Sequence, residues 1–523
     1  MTSSTEASTD SGRVLSVRNS LLAMSGLCFV IMMVAVDQTV VSTALPTIVA
    51  ELNGFSLYAW VANAYLLTSV ITIPIFGRLG DYYGRKPFII VAVLLFTAAS
   101  VFCGLAGSMA QLVGARALQG IGGGMLIGTA FASVPDLFPD TRVRLRWQVL
   151  LSGAYGVANV IGPSLGGILT QYAGWRSVFF VNLPFGLLSL WFVWRCLPHI
   201  RQHQQGPVGL DWQGALLIAL GLASLQLFVE LLSMQGLTLL VGGLAALSLF
   251  SLVALFFWEK HCSAPLLPLE MFRNKSLAVL FCLSVFLGFA LFVLLFYVPL
   301  LFQGGFGMSP QQAGLLITPL VVCITVGSIV NSKVVALLPN PGAMLFIGLG
   351  LLFIACLGLI FVFANTSLWL IILYMALGGI GLGFLVPNLT VFAQETAGRG
   401  HLGIATALLQ SLRMIGGMLG MAVVGTLVSH FYASSVREAL HERQGEAWAA
   451  TLMDPQVVVN TALQHDFIQR LQSLGLEGEP YIQAARAALT GAVHGGLWLA
   501  LAIVVLAFAW AFRLPRVRLG GPR

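Results

Sequence analysis

Of 523 residues, 58% are hydrophobic and 9% are charged, too little polar surface to cover a soluble globule of this length, so soluble enzymes and soluble binding domains are excluded. The formal net charge of +7 does not indicate nucleic acid, because the Lys and Arg gather at the ends of apolar runs, where they set membrane orientation. Seven cysteines, an odd number without a Cys-x-x-Cys pair, lie mostly within those runs (Cys28, Cys103, Cys282, Cys323, Cys356) and read as small core residues, so neither a disulfide framework nor a metal site or cofactor is indicated.

Residues 1–20 form a Ser/Thr-rich tail carrying Arg13 and Arg18. The apolar run Leu21 to Pro46 is too long for a signal-peptide core and has no A-x-A-like processing site, so it is expected to remain as a first membrane span. At 1.5 Å per residue it covers roughly 39 Å, enough to cross a bilayer. It holds one acid, Asp37, in Val-Ala-Val-Asp-Gln-Thr-Val-Val-Ser-Thr. An Asp at the centre of a span costs about 3 kcal/mol, so Asp37 is expected to face protein or a water-filled cavity and reads as a proton or ion site. The alternative is an acid near the outer end that simply reaches interfacial water.

Further apolar runs begin near residues 58, 88, 111, 148, 177, 212, 238, 277, 311, 343, 368, 403 and 491, predicting an all-α integral membrane protein of fourteen spans. Basic clusters at Arg78/Arg85/Lys86, Arg142/Arg144/Arg146, Lys260/Arg273/Lys275 and Arg513/Arg516/Arg518 put both termini in the cytoplasm. The first five starts recur about 255 residues later, the internal repeat expected of secondary transporters. The predicted layout is a tail at 1–20, a six-helix bundle at 21–200, two inserted helices at 201–260, a second six-helix bundle at 261–513 and a tail at 514–523. The second bundle includes an outer segment at 430–490, where Leu463, Phe467, Leu471 and Leu474 fall at helical spacing. That segment reads either as a lid or as a docking surface for a partner.

The cytoplasmic loop after the second span reads Gly77-Arg-Leu-Gly-Asp81-Tyr-Tyr-Gly84-Arg85-Lys86-Pro87. Its glycines permit a tight turn, and Asp81 can cap the next helix or pair with Arg85, so the loop is expected to latch one conformation. It resembles the major facilitator superfamily signature G-x-L-a-D-r-x-G-r-k, departing only at Tyr82. Span 4 carries Arg116-Ala-Leu-Gln119-Gly120, similar to that superfamily's R-x-x-q-G. Arg116 either anchors backbone carbonyls or takes part in proton coupling. Span 5 carries Gly156-Val-Ala-Asn159-Val-Ile-Gly162-Pro163-Ser-Leu-Gly166-Gly167, similar to the antiporter motif g-x-x-x-G-P-x-x-G-G. Small residues four apart let helices approach and Pro163 bends the helix, so a pivot between halves is expected here.

With Trp175-Arg176 through Asn182-Leu-Pro184, Asp211-Trp-Gln-Gly214, Pro265 through Arg273 and Gln410-Ser-Leu-Arg413, the chain resembles the EmrB/QacA type of drug:proton antiporter from about residue 20 to 515. The resemblance implies the major facilitator fold, multidrug efflux through the bacterial inner membrane, and coupling through Asp37 and Arg413. Arg413 stands out independently, as a cation near the middle of span 13 whose preferred partner is Asp37, with Arg116 the second choice for that acid. Glu230 and His494 read as rim residues.

No G-x-x-x-x-G-K-[ST] occurs, which excludes ATP-driven pumping by this chain alone. A proton gradient is favoured over sodium. The spans offer no nucleophile-and-base set, so no catalytic residues are expected, and a channel accounts poorly for the repeat, pivot and latch. The expected partners are a small lipophilic substrate, protons and membrane lipids, with a periplasmic adaptor as the candidate for docking at 430–490. Export of a native lipid, siderophore or metabolite is the alternative to foreign drugs.

Overall fold

Away from water every backbone N–H and C=O must be paired within its own segment, so long apolar runs become long helices. A computed structural model describes residues 17–137, 141–198, 211–236, 238–262, 265, 269–335, 341–397, 402–442, 448–474 and 476–514. Its helices are α1 (Val17–Leu52), α2 (Tyr58–Tyr83), α3 (Arg85–Gly104), α4 (Met109–Leu137), α5 (Thr141–Ala173), α6 (Arg176–Phe180), α7 (Asn182–Cys196), α8 (Trp212–Gln235) and α9 (Leu239–His261). They continue as α10 (Leu269–Arg273), α11 (Lys275–Leu300), α12 (Pro310–Val334), α13 (Ala343–Ile360), α14 (Leu368–Ala397) and α15 (Leu402–Glu442). Three short helices, α16 (Ala449–Leu452), α17 (Gln456–Val459) and α18 (Thr461–Ser473), lead to α19 (Glu479–Ala511).

Among the described residues there is no strand, and twelve helical segments are long and apolar enough to cross a membrane. They draw on every long helix except α4 and α5, which have 29 and 33 residues but lie outside that set. The protein is thus an all-helical, multi-pass membrane protein.

The helix pairing repeats along the chain. In the first part α1 packs on α5, α2 on α4 and α3 on α4; in the second α11 packs on α15, α12 on α14 and α13 on α14. The contacts between the parts obey the same symmetry, since α5 lies against α12 and α2 against α15. Between them α8 and α9 pair with each other, with Ser248 donating to the Gly221 carbonyl at 3.0 Å and Trp258 to Asp211 at 2.7 Å.

Several local features differ from expectation. The latch sequence is not an extended loop: α2 runs through Gly77 and Asp81 to Tyr83, because nothing breaks the helix before Gly84, whose φ of +85° favours glycine. The turn therefore shrinks to one residue, and α3 starts at Arg85. The outer segment is also shorter than 430–490. Buried Tyr432, Val436 and Leu440 carry the helical stripe of α15 to Glu442, and buried Ile482, Ala485 and Leu489 do the same for α19 from Glu479. Hydropathy marks where a membrane could be, but an apolar stripe that packs on neighbours keeps a helix going beyond it.

Candidate functional site

The chemistry-bearing cluster begins with how closely α2 approaches α4. A Cβ on Gly120, Gly123 or Gly124 would collide with Tyr65, Thr68, Ser69 or Thr72, so these glycines allow the two backbones to meet. Thr68 and Ser69 exploit the approach, donating to the carbonyls of Ala117 at 2.8 Å and Gly120 at 2.9 Å. The same contact brings the Val61 carbonyl and the Tyr65 ring to Arg116, which donates its Nε to Val61 at 3.1 Å and lies 4.5 Å from the ring centroid.

Arg116 is 1% exposed and its Nη1 meets Asp37 Oδ2 at 2.6 Å. Gln119, one turn along α4, donates Nε2 to Asp37 Oδ1 at 2.8 Å while its Oε1 accepts from Arg116 Nη1 at 2.7 Å. Asn182, the first residue of α7, donates Nδ2 to the same Oδ1 at 3.0 Å. Ser100 of α3 accepts from both amides, at 3.3 Å from Gln119 and 2.9 Å from Asn182, and gives its own proton to the Phe179 carbonyl at 2.9 Å. The Cys103 thiol reaches Gln119 Oε1 at 3.5 Å. Asp37 is 1% exposed, and Gln119, Asn182 and Ser100 are fully buried. The carboxylate therefore has one cation on one oxygen and two amide donors on the other, each contact a charge-assisted hydrogen bond.

Asp37 thus faces protein, and the interfacial-water alternative does not describe it. Its ion-pair partner is Arg116, the second choice from sequence. Arg413 lies on α15, which packs chiefly on α11, α19 and α2, and hydrogen-bonds Gln410 one turn away. Equal depth did not make Arg413 the ion-pair partner of Asp37 in this conformation, where Arg116 takes that place. Gln119 and Asn182 were visible only as parts of motifs, and Ser100 carried no signal beyond being a hydroxyl in an apolar helix.

Other expected sites are distributed as follows. Lys86 donates to the Trp194 carbonyl at 2.8 Å, joining the start of α3 to the end of α7, and Arg85 lies beside Gly80. The side chains of Asp81, Asn159 and Glu230 lie outside the described part of the structure. His494 is buried against Phe363, with ring centroids 5.3 Å apart. In α5, a Cβ on Gly162 would overlap Thr39 and one on Gly166 would overlap Thr43 and Val40, both contacts with α1. Gly156 faces Thr325 and Gly167 faces the Pro310 carbonyl, both on α12, and the Pro163 carbonyl sits where a Cβ on Gly314 would be.

A second cluster closes the end of the bundle where α1 terminates. Gln303, in the π-helical segment after α11, donates to the Thr43 carbonyl at 2.8 Å and accepts from Thr47 at 3.1 Å; Tyr58 donates to the Phe296 carbonyl at 2.7 Å. Gln456 and Asn460 donate to the carbonyls of Val49 at 3.0 Å and Ala50 at 2.8 Å, in the last turn of α1.

The Major Facilitator Superfamily profile matches residues 27–421. The chain belongs to that superfamily. It is 33% identical over 418 residues to the multidrug transporter protein MdtP of Bacillus subtilis, an overlap of 78% of this chain and 75% of that one. It is 31% identical over 445 residues to multidrug resistance protein 3 of the same organism, 83% of this chain and 85% of the relative. In fold, this superfamily member is similar to a bacterial homolog of the human lysosomal transporter Spinster in an inward-facing, unoccupied conformation, with a TM-score of 0.62, 17% identity, and coverage of 96% of this chain and 98% of that one. It is a transporter of the superfamily and not an enzyme.

Proposed function

We propose that the protein is a proton-coupled exporter of small lipophilic compounds, working by alternating access and belonging to the fourteen-span EmrB/QacA branch of drug:proton antiporters. The observation that carries this reading is the sealed Asp37 carboxylate with its Arg116 partner, a titratable group held where only a conformational change could bring it a proton. The multidrug names of the two Bacillus relatives support the substrate class. Protonation of Asp37 releases Arg116 from its partner, so a different packing of the two halves becomes favourable and export is tied to proton entry.

In this reading α4 and α5, which pack along α2, α3, α1 and α12, also cross the membrane and raise the span count to fourteen. The first bundle is 21–200 and the second 261–513, with α8 and α9 inserted. Both termini are cytoplasmic in the bacterial inner membrane, so the end closed by Gln303, Gln456 and Asn460 is the outer one. The segment at 448–474 is a lid in preference to an adaptor-docking surface, since Gln456 and Asn460 are already engaged with α1. Gly77, Asp81, Gly84, Arg85 and Lys86 form the inner latch. Gly156, Gly162, Pro163, Gly166 and Gly167 form the pivot, and Arg413 assists coupling from the second half.

The test is transport driven by a pH gradient in proteoliposomes. Asp37→Asn keeps the size and some hydrogen bonding of the acid but cannot cycle charge, so gradient-driven efflux should be abolished while substrate exchange persists. Wild-type rates in that variant would sink the mechanism.

A further inference from the structure

Two side-chain amides donate to Oδ1 of Asp37, and they are not equivalent. The Gln119 carbonyl is held, accepting from Arg116 Nη1 at 2.7 Å and from the Cys103 thiol at 3.5 Å. Turning that amide over would point an NH2 group at a guanidinium. The Asn182 carbonyl is different: Oδ1 is buried and has no hydrogen-bond partner among the described residues, although its Nδ2 makes two bonds, to Asp37 and to Ser100. Leaving a buried amide oxygen without a donor is costly, so it requires an explanation.

Among the described residues, the groups that hydrogen-bond the Asp37 carboxylate are all donors: Arg116 Nη1, Gln119 Nε2 and Asn182 Nδ2. That suits a carboxylate and does not suit a carboxylic acid, whose new O–H needs an acceptor. Ser100 cannot serve, because its oxygen already accepts from two amides and its proton goes to Phe179. The other titratable groups at the site are Arg116, which is a donor, Tyr65, whose ring lies 4.5 Å from the guanidinium, and Cys103, which faces Gln119.

We propose that Asn182 is the positioning residue that reads the protonation state of Asp37, its amide donating Nδ2 to the carboxylate and reversing to offer Oδ1 to the protonated acid. The inference rests on the proton-coupling reading and adds the residue through which protonation is transmitted. When a proton arrives on Oδ1 of Asp37, the new O–H donates to Asn182 Oδ1. The Nδ2 bond to Ser100 is then broken. Ser100 belongs to α3 and Asn182 opens α7 immediately after the break at Val181, so the proton on α1 alters how α3 is tied to the α6–α7 junction. Gln119 stays fixed and keeps Arg116 in register throughout.

The experiment is infrared difference spectroscopy of the reconstituted wild-type protein through a pH titration, with isotope-labelled asparagine to assign the amide and Asp37→Asn to assign the carboxyl band. The expected result is a hydrogen-bonded acid band for Asp37 that appears together with a shift of the labelled amide band. In Asn182→Leu, the acid band should move to the higher frequency of an unbonded O–H and the amide change should vanish. Gradient-driven transport should fall about tenfold or more, the size expected for one hydrogen bond to a charged group, while substrate exchange without net proton movement stays near wild type. Protonation of Asp37 with no amide change in the wild-type protein would overturn the role of Asn182 and leave proton coupling intact. Absence of any Asp37 protonation in an actively transporting sample would overturn both.

Discussion

Sealing an aspartate and an arginine together away from water gives each a partner but makes either one alone a liability. With Asp37 and Arg116 both about 1% exposed, Arg116→Met would leave a buried carboxylate with two amide donors and no cation. Such a change should destabilise the protein by about 3–5 kcal/mol. Removing both charges, as in Asp37→Asn with Arg116→Met, should restore most of that loss, because the uncompensated charge is gone. Thermal unfolding of the purified protein in detergent measures both, and equal losses in the single and double variants would show that the pair is not what holds the site. The two charged residues, though not their pairing, were legible in the sequence because ionisable residues are rare within apolar spans. Gln119, Ser100 and Asn182 were not assigned roles, since amides and hydroxyls are common there and only adjacency shows which of them meet. That Asp37 pairs here with Arg116, the second choice, and not with Arg413 was hidden for the same reason. Depth along a span can be read from residue counts, whereas the neighbour of α1 depends on which helices pack together.

At the level of single helices, α5 presents different glycines to two neighbours. Gly162 and Gly166 admit α1, while Gly156 and Gly167 admit α12. Ser164 and Thr318 share a hydrogen bond at 2.6 Å across the second contact. Gly162→Leu would drive a side chain into Thr39, two residues from Asp37. Overpacking of this kind costs about 1–3 kcal/mol. The variant should reach the membrane and lose transport; full transport, measured beside surface expression, would reduce the motif to ordinary packing. The motif and its Gly-Pro pair were readable because the spacing itself states close approach. Its two faces were not, because four-residue spacing does not say which partner lies on which side. Helix ends were the least readable feature. Gly77 to Gly84 looked like a loop on account of its glycines, yet of these only Gly84 takes a positive φ, where the helix ends. At 430 and 490 the change in hydropathy was mistaken for a change in structure, while Tyr432, Val436 and Leu440 continued the stripe.

For the molecule as a whole, the recurrence of spans at an interval of about 255 residues corresponds to helix pairings that recur in the same order, α1 with α5 and α11 with α15. The orientation remains a proposal with a direct test. Gln472 is exposed at the end of α18, so a cysteine there should react with an impermeant maleimide in intact cells. Labelling only after cell disruption would reverse the orientation proposed for every helix. The clasp on α1 has a consequence of a different kind. The carbonyls of Val49 and Ala50 belong to the last turn of α1, where intrahelical donors run out, and Gln456 and Asn460 donate to them. Opening this end exchanges two protein hydrogen bonds for two bonds to water, nearly balanced in free energy but impossible in the dry state. If the proposed cycle opens this end, the stroke would be a wetting event whose equilibrium responds to the activity of water. In that cycle, osmolytes excluded from protein surfaces would hold the clasp shut, and a cell that swells or shrinks would change the balance of transport without altering substrate or proton.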